Sequence, residues 1–124
     1  MKILIVDDIF SNRMLLNEII REFGFDCIEA TNGKDAIEIL NNNNDISAIL
    51  MDIEMPVMNG LETTKHIREK LNFPKNKIPI IALTAHNPEI FFQDFKDVGF
   101  DQLLTKPYSI EKIKDIFQKL KIRF

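Results

Sequence analysis

The sequence predicts an α/β domain in which one five-stranded parallel sheet is covered by helices on both faces. Strand-like and helix-like segments alternate from one end of the 124-residue chain to the other. The strand-like runs are continuously apolar, which is typical of strands that are buried on both faces. Alternation of this kind requires right-handed crossovers. We therefore expect a doubly wound sheet with five helices, in a single domain over residues 1–124.

Five short runs of mostly aliphatic residues account for the strands. They cover residues 3–6, 27–30, 48–51, 78 with 80–83, and 103–104. The single cysteine, Cys27, lies in the second run and cannot form an internal disulfide. We interpret it as a small core residue.

Apolar residues at helical spacing account for the five helices. The stripes are Leu15, Leu16, Ile19, Ile20 and Phe23; Ala36, Ile37 and Leu40; Leu61, Thr64, Ile67, Arg68 and Leu71; Phe91, Phe95 and Val98; and Ile113, Ile116, Phe117 and Leu120. Gly24 is expected to end the first helix. The sequence Asn87-Pro88-Glu89 is expected to begin the fourth, because asparagine caps, proline suits the first turn and an acid favours the helix dipole. The aliphatic stem of Arg68 is expected to pack along its helix.

The fourth helix, predicted over residues 88–98, carries more large apolar side chains than one face can bury. Phe91, Phe95 and Val98 form a stripe that suits the core, whereas Ile90 and Phe92 fall beside it. An exposed aromatic side chain here predicts a partner surface, and a homodimer through the fourth helix and fifth strand is one possible use of it.

Charge and composition argue against some classes of function. The net charge is −3 with no dominant basic block, so direct nucleic-acid binding is not expected. The sequence shows no leader peptide and no long apolar span, so we expect a cytoplasmic protein with no membrane partner.

Chemically distinctive residues follow four of the strand runs. Asp7 and Asp8 come after the first run, Asp52 after the third, Thr84 after the fourth and Lys106 after the fifth. The carboxyl ends of parallel strands meet at one edge of the sheet, where such folds bind ligands. Each residue alone fits a solvated loop, a helix cap or a local hydrogen bond. Their coincidence at four strand ends predicts a shared site.

Three neighbouring carboxylates repel one another unless positive charge enters the site. Lys106 can offset one charge, and Mg²⁺ suits an oxygen-rich site that leaves room for water and a phosphoryl group. A carboxylate beside such a cation can attack phosphorus, while Lys106 neutralises the transferring oxygens and Thr84 offers a hydrogen bond. The residues alone therefore predict an acidic, metal-binding edge.

The same residues lie in stretches that resemble the receiver domains of two-component response regulators. The stretches are residues 3–8, 51–60, 80–85 and 106–107, and the spacing Asp52-x-x-Met-Pro-x-Met-x-Gly is highly specific. The resemblance covers essentially the whole chain. It implies a flavodoxin-like sheet in the order 2-1-3-4-5.

The resemblance implies a phosphorylation and metal site at the acidic residues. Asp52 resembles the phosphoacceptor. Asp8 and Asp52 would bind Mg²⁺ directly, together with the backbone carbonyl of Glu54. Asp7 would hold a water on the metal or assist directly.

The resemblance also implies a set of phosphoryl contacts and a switch. Lys106 would pair with the phosphoryl group beside a cis peptide to Pro107, Thr84 would move inward to bond a phosphoryl oxygen, and Ala85 would leave the group room. Many receivers carry an aromatic residue three places before the lysine. Leu103 holds that position here, so we expect activation to reach the last helix by backbone and loop shifts.

Two further features refine the resemblance. His86 and Glu54 stand where family members border the phosphoryl group and tune its hydrolysis, although a solvent-facing loop role for His86 is equally open. The pair Asn12-Arg13 and the run over residues 84–86 most resemble receivers fused to, or served by, hybrid histidine kinases.

The resemblance implies a signalling domain that catalyses only its own phosphorylation and dephosphorylation. A histidine kinase or histidine phosphotransfer protein would donate the phosphoryl group, and an unknown downstream protein would read the result. A flavin-binding fold and a P-loop hydrolase are disfavoured by the absence of their phosphate-binding loops. A phosphoaspartate-forming phosphatase would normally need a longer chain. A non-catalytic interaction module that retained the fold is the remaining alternative.

Overall fold

The computed structural model describes residues 1–85 and 87–122, with the side chains of Pro88 and Phe92 left aside. The strands are β1 (Lys2–Val6), β2 (Asp26–Ala30), β3 (Ile46–Asp52), β4 (Ile80–Thr84) and β5 (Gln102–Thr105). The helices are α1 (Phe10–Glu22), α2 (Gly33–Asn42), α3 (Gly60–Lys70), α4 (Pro88–Phe95) and α5 (Ile110–Lys119), and a short 3₁₀ helix, Lys75–Lys77, precedes β4.

All five strands are parallel and lie in the order β2-β1-β3-β4-β5, which confirms the predicted sheet. The register aligns the carboxyl ends of the central strands. Val6 pairs with Met51 and Asp52 with Leu83, so the residue that follows β1 lies beside the last residue of β3.

Side chains alternate between the two faces of the sheet, and each face has its own core. Ile3 and Ile5 of β1, with Ala48 and Leu50 of β3, pack under α1 and α5. The next positions of these two rows on the α1/α5 face are Asp7, just beyond β1, and Asp52, the last residue of β3. The apolar rows of the core therefore end in carboxylates.

The opposite face is covered by α2, α3 and α4. Ala82 of β4 packs there against Phe91, which is 1% exposed, and against the partly buried Leu103. Thr84 continues the row of Ala82. The threonine and the leucine therefore belong to the α4 face of the sheet.

The predicted end of the fourth helix and the predicted start of the fourth strand were wrong. The fourth helix ends at Phe95 rather than at Val98, because the chain turns there and the Val98 amide donates to the Phe95 carbonyl oxygen (3.1 Å). Ile78 lies outside β4, since its amide closes the short 3₁₀ helix by donating to the carbonyl oxygen of Lys75 (3.3 Å). The predicted start of α4 is confirmed, as the side chain of Asn87 caps the helix.

The Arg68 side chain makes several hydrogen bonds, whereas only the packing of its stem was predicted. Its guanidinium donates to the carbonyl oxygens of Asn76 (3.0 Å), Ile78 (2.8 Å) and Gly99 (3.0 Å), and to the Asp101 carboxylate (2.9 Å). The same Asp101 oxygen accepts from the first backbone amide of β4 (2.8 Å). Gly99, at φ +114°, leaves room for the arginine, since a Cβ there would lie 2.8 Å from Arg68 Cγ. Arg68 thus joins α3 to the loops at the amino edge of β4 and β5.

Cys27 is partly buried against the α1/α5 core, and burial raises the pKa of its thiol to about 11, as suits an unreactive packing residue. Within residues 1–85 and 87–122, no helix is both long and apolar enough to cross a membrane.

Candidate functional site

Three carboxylates meet at the carboxyl edge of the sheet. One oxygen from each of Asp7, Asp8 and Asp52 lies within 4.8 Å of the other two. Asp7 is fully buried and Asp52 is 8% exposed, whereas Asp8 faces solvent. The cluster is therefore open on one side and closed on the side of the core.

Asp7 is held in place by the start of α1. One carboxylate oxygen accepts from the Ile9 amide (2.8 Å) and the other from the Asn12 side chain (3.2 Å). The Arg13 guanidinium donates to the Asp7 carbonyl oxygen (2.9 Å) and to the Glu29 carboxylate (3.1 Å). Sequence reasoning had linked Asn12 and Arg13 only to a subgroup of receivers. Their polar side chains one turn beyond an acid pair were the available signal.

Burial and mutual repulsion make the deprotonated state of these acids costly. Burial first, and repulsion from Asp7 second, raise the pKa of Asp52 to about 6, against the opposing effects of Lys106 and of a hydrogen bond from the Glu54 amide. Burial likewise raises the pKa of Asp7. Such a cluster favours the entry of a cation.

Lys106 and Thr84 border the same cleft as Asp52. The cleft has a volume of about 190 Å³ and is lined by Asp52, Ile53, Glu54, Leu83, Thr84, Ala85 and Lys106. The Lys106 amide donates to the Thr84 carbonyl oxygen (3.2 Å), which fixes one strand end against the other. The ion pairs found in the described part of the chain do not involve the Lys106 ammonium, so it remains available to a ligand. The peptide to Pro107 is cis, as the resemblance implies.

Steric crowding explains why the Asp52-to-Gly60 motif ends in a glycine. A Cβ at Gly60 would overlap the Asp52 carbonyl oxygen, and the Gly60 amide donates to the Ile53 carbonyl oxygen (2.9 Å). Asn59 caps α3 in a reciprocal pair with Glu62. The motif therefore seats the first turn of α3 directly against the backbone of Asp52.

The other predicted site residues lie at different distances from the cluster. Glu54 and Ala85 are exposed residues on the lip of the cleft. Leu103 lies on the α4 face of the sheet, away from the carboxylates. His86 lies outside the described residues.

The ligand atoms at the site limit which ions and groups it can bind. It offers carboxylate oxygens with no thiolate or imidazole among the described residues of the cluster, which suits a hard divalent cation rather than zinc. The adjoining cleft adds a hydroxyl and an ammonium group, both of which stabilise an anion.

A family model, the response regulator receiver domain, matches residues 3–118. The chain belongs to this family. Receiver domains act in two-component signalling, and phosphoryl acceptance is the general function of the family. This receiver domain is thus a signalling domain, as the sequence predicted.

Relatives of the receiver domain occur both alone and within longer proteins. It is 32% identical to two-component response regulator 24 of Arabidopsis thaliana, over 94% of this chain and 81% of that protein. It is also 32% identical to sporulation initiation phosphotransferase F of Bacillus subtilis, over 95% and 91%. Hybrid signal transduction histidine kinase I of Dictyostelium discoideum is 34% identical over 93% of this chain, which spans only 7% of that protein.

Solved structures share the fold. The receiver domain of a Pseudomonas aeruginosa sensor histidine kinase, with magnesium in its active-site cleft, superposes with a TM-score of 0.83 at 28% identity, over 95% of this chain and 94% of that one. The chemotaxis protein CheY4 of Vibrio cholerae gives 0.84 at 29% identity, over 95% and 96%.

Proposed function

We propose that Asp52 accepts a phosphoryl group from a phosphohistidine and later loses it to water. The observation that carries this proposal is the position of Asp52. It is the one carboxylate that belongs both to the acidic cluster and to the cleft with Lys106 and Thr84. A nucleophile, a cation site and anion-stabilising groups therefore lie around one oxygen.

Mg²⁺ is the cofactor that suits this donor set. Asp8 and Asp52 would bind it directly, with the Glu54 backbone carbonyl, and Asp7 would hold or orient a water on it. When bound, the cation offsets the negative charge of the cluster and of the phosphoryl oxygens. The magnesium in the cleft of the related Pseudomonas receiver supports this assignment.

The chain's own residues would carry out the transfer. A carboxylate oxygen of Asp52 attacks phosphorus, the phosphorus–nitrogen bond breaks, and the imidazole leaves with its electron pair. Lys106 and Thr84 contact the phosphoryl oxygens, and Ala85 leaves them space. In a second, separate step water attacks phosphorus, the bond from phosphorus to the Asp52 oxygen breaks, and inorganic phosphate and the free carboxylate form, so the domain catalyses only its own modification. Glu54 and His86 would affect how easily that water enters.

The phosphoryl donor would be a histidine kinase or a histidine phosphotransfer protein, and the exchange would take place in the cytoplasm. A protein donor must cover the mouth of the site to bring its imidazole to Asp52. Exposed apolar side chains lie close in sequence to the acids. Ile9 (46% exposed) and Phe10 (67%) follow the acid pair, and Val57 (78%) lies in the loop after β3. These side chains suit a hydrophobic contact with the donor.

Mass spectrometry tests the proposal. A small phosphodonor with Mg²⁺ should add one phosphoryl group to the wild type and none to Asp52→Asn. In a second arm, a phosphorylated histidine phosphotransfer protein replaces the small donor, and Phe10→Ser should slow only that arm, by roughly tenfold. A wild type that gains no mass, or an adduct that survives in Asp52→Asn, would leave a non-catalytic interaction module as the better interpretation.

Phosphorylation would be read on the α4 face by a downstream protein. Thr84 and Leu103 lie on that face and Ile90 is 54% exposed on α4, which also supports the homodimer considered from the sequence. With beryllofluoride as a phosphoryl mimic, amide resonances of β5 and α5 should shift in NMR spectra, and the sedimenting mass should double if the dimer forms. Unchanged β5 and α5 resonances would contradict the proposed switch, and an unchanged mass would contradict the dimer.

A further inference from the structure

The hydroxyl group of Tyr108 has no hydrogen-bond partner among the described residues. The residue lies two places beyond Lys106, and its ring packs against the α1/α5 core. The hydroxyl oxygen is buried and makes no hydrogen bond within the described part of the chain. Because a buried hydroxyl without a partner is costly, each one calls for a physical explanation.

The surroundings of this hydroxyl include the acidic cluster. Asp7 and Asp52 end the rows of the core face against which the Tyr108 ring packs. Burial, followed by the negative charges of these two carboxylates, raises the pKa of Tyr108. The phenol therefore stays protonated at neutral pH and can act only as a neutral donor toward them.

Hydrogen bonds from α5 hold the backbone of the loop that carries Tyr108. The Lys112 ammonium donates to the carbonyl oxygens of Thr105 (3.3 Å) and Pro107 (2.9 Å), and Ser109 caps the helix. The residues on both sides of Tyr108 are thus fixed.

We propose that Tyr108 is a positioning residue for the cation site, whose hydroxyl donates through one bridging water to the Asp7 carboxylate. Asp7 already accepts from the Ile9 amide and from Asn12. A third donor on the core side would complete its orientation toward the open side of the cluster. A bridging water fits a buried hydroxyl on this face that bonds neither carboxylate directly in the described structure. This inference rests on the proposed Mg²⁺ site.

Calorimetric titration with Mg²⁺ compares the wild type with Tyr108→Phe, which keeps the ring and removes only the hydroxyl. The variant should bind Mg²⁺ about threefold to tenfold more weakly. Thr64→Val is the matched control, because Thr64 also carries a buried hydroxyl with no partner in the described structure but lies in α3. It should bind Mg²⁺ as the wild type does.

The outcomes separate the two proposals. A wild type that does not bind Mg²⁺ overturns the proposed cation site, whereas equal affinity in the wild type and Tyr108→Phe overturns the role of Tyr108 alone. A second readout does not require a folded variant. Tyr108 is the only tyrosine in a chain without tryptophan, so the intrinsic emission of the wild type reports on it. That emission should change saturably with Mg²⁺, and no change at saturation would also overturn the inference.

Discussion

Asp52→Asn is expected to stabilise the metal-free receiver domain at pH 7 by roughly 1 to 3 kcal/mol, although it removes the proposed phosphoacceptor. The pKa of Asp52 lies at about 6 in the folded protein against an ordinary value of 3.8. The folded state therefore binds the proton more tightly than the unfolded state does. The stability contributed by the protonated acid is complete below about pH 3.8 and is lost as the pH rises through 6. An amide at position 52 never acquires that charge.

Urea unfolding without Mg²⁺ at pH 7 and pH 4 measures this effect. The stability difference between the variant and the wild type should be large at pH 7 and small at pH 4. Added Mg²⁺ should reduce it at pH 7 by stabilising the wild type. Asp94→Asn, an exposed carboxylate of α4, is the control and should change stability by less than about 0.5 kcal/mol. Equal stability of Asp52→Asn and the wild type at pH 7 would show that the site tolerates the charge without cost.

Arg68→Met should lower the free energy of unfolding by about 2 to 4 kcal/mol. The methionine can replace the packed stem but none of the four hydrogen bonds, so the carbonyl oxygens of Asn76, Ile78 and Gly99 lose their donor. The carboxylate of Asp101 loses its ion pair as well. Denaturant titration at pH 7 measures the loss.

Two further variants define what the arginine contributes. Arg68→Lys keeps the charge but not the planar fork that reaches several acceptors at once, so it should recover less than half of the lost stability. Arg21→Met removes an exposed arginine from the last turn of α1 and should cost less than about 1 kcal/mol. If Arg68→Met unfolded at the wild-type urea concentration, the hydrogen bonds seen at Arg68 would be energetically unimportant.

The fold was largely predictable because its strands are buried on both faces, which leaves continuous apolar runs in the sequence. Boundaries were less predictable where short-range hydrogen bonds decide them. Ile78 is as apolar as the strand that follows, yet its amide completes a 3₁₀ helix. The three contacts of Arg68 with backbone carbonyl oxygens leave no trace in residue type, since any residue offers a carbonyl. The packing of its stem was all that the helical pattern could indicate.

The candidate site was likewise predictable only in part. Strand ends and charge sufficed to bring Asp7, Asp8 and Asp52 to one edge, because parallel register fixes where strands end. The hydroxyl of Tyr108 could not be assigned from the sequence. A tyrosine after a proline fits a core or a surface equally well, and only tertiary packing shows that its oxygen is buried without a partner.

The alternation of side chains across the sheet has an evolutionary consequence. By the alternation of side chains along the strands, Asp7 and Asp52 continue the rows under α1 and α5, whereas Thr84 continues the row of Ala82 on the face of α4, where Leu103 also packs. Substitutions on α4 that recruit a new output protein need not disturb the packing beneath the acids. A lineage can thus change its output protein while it inherits the same phosphorylation chemistry.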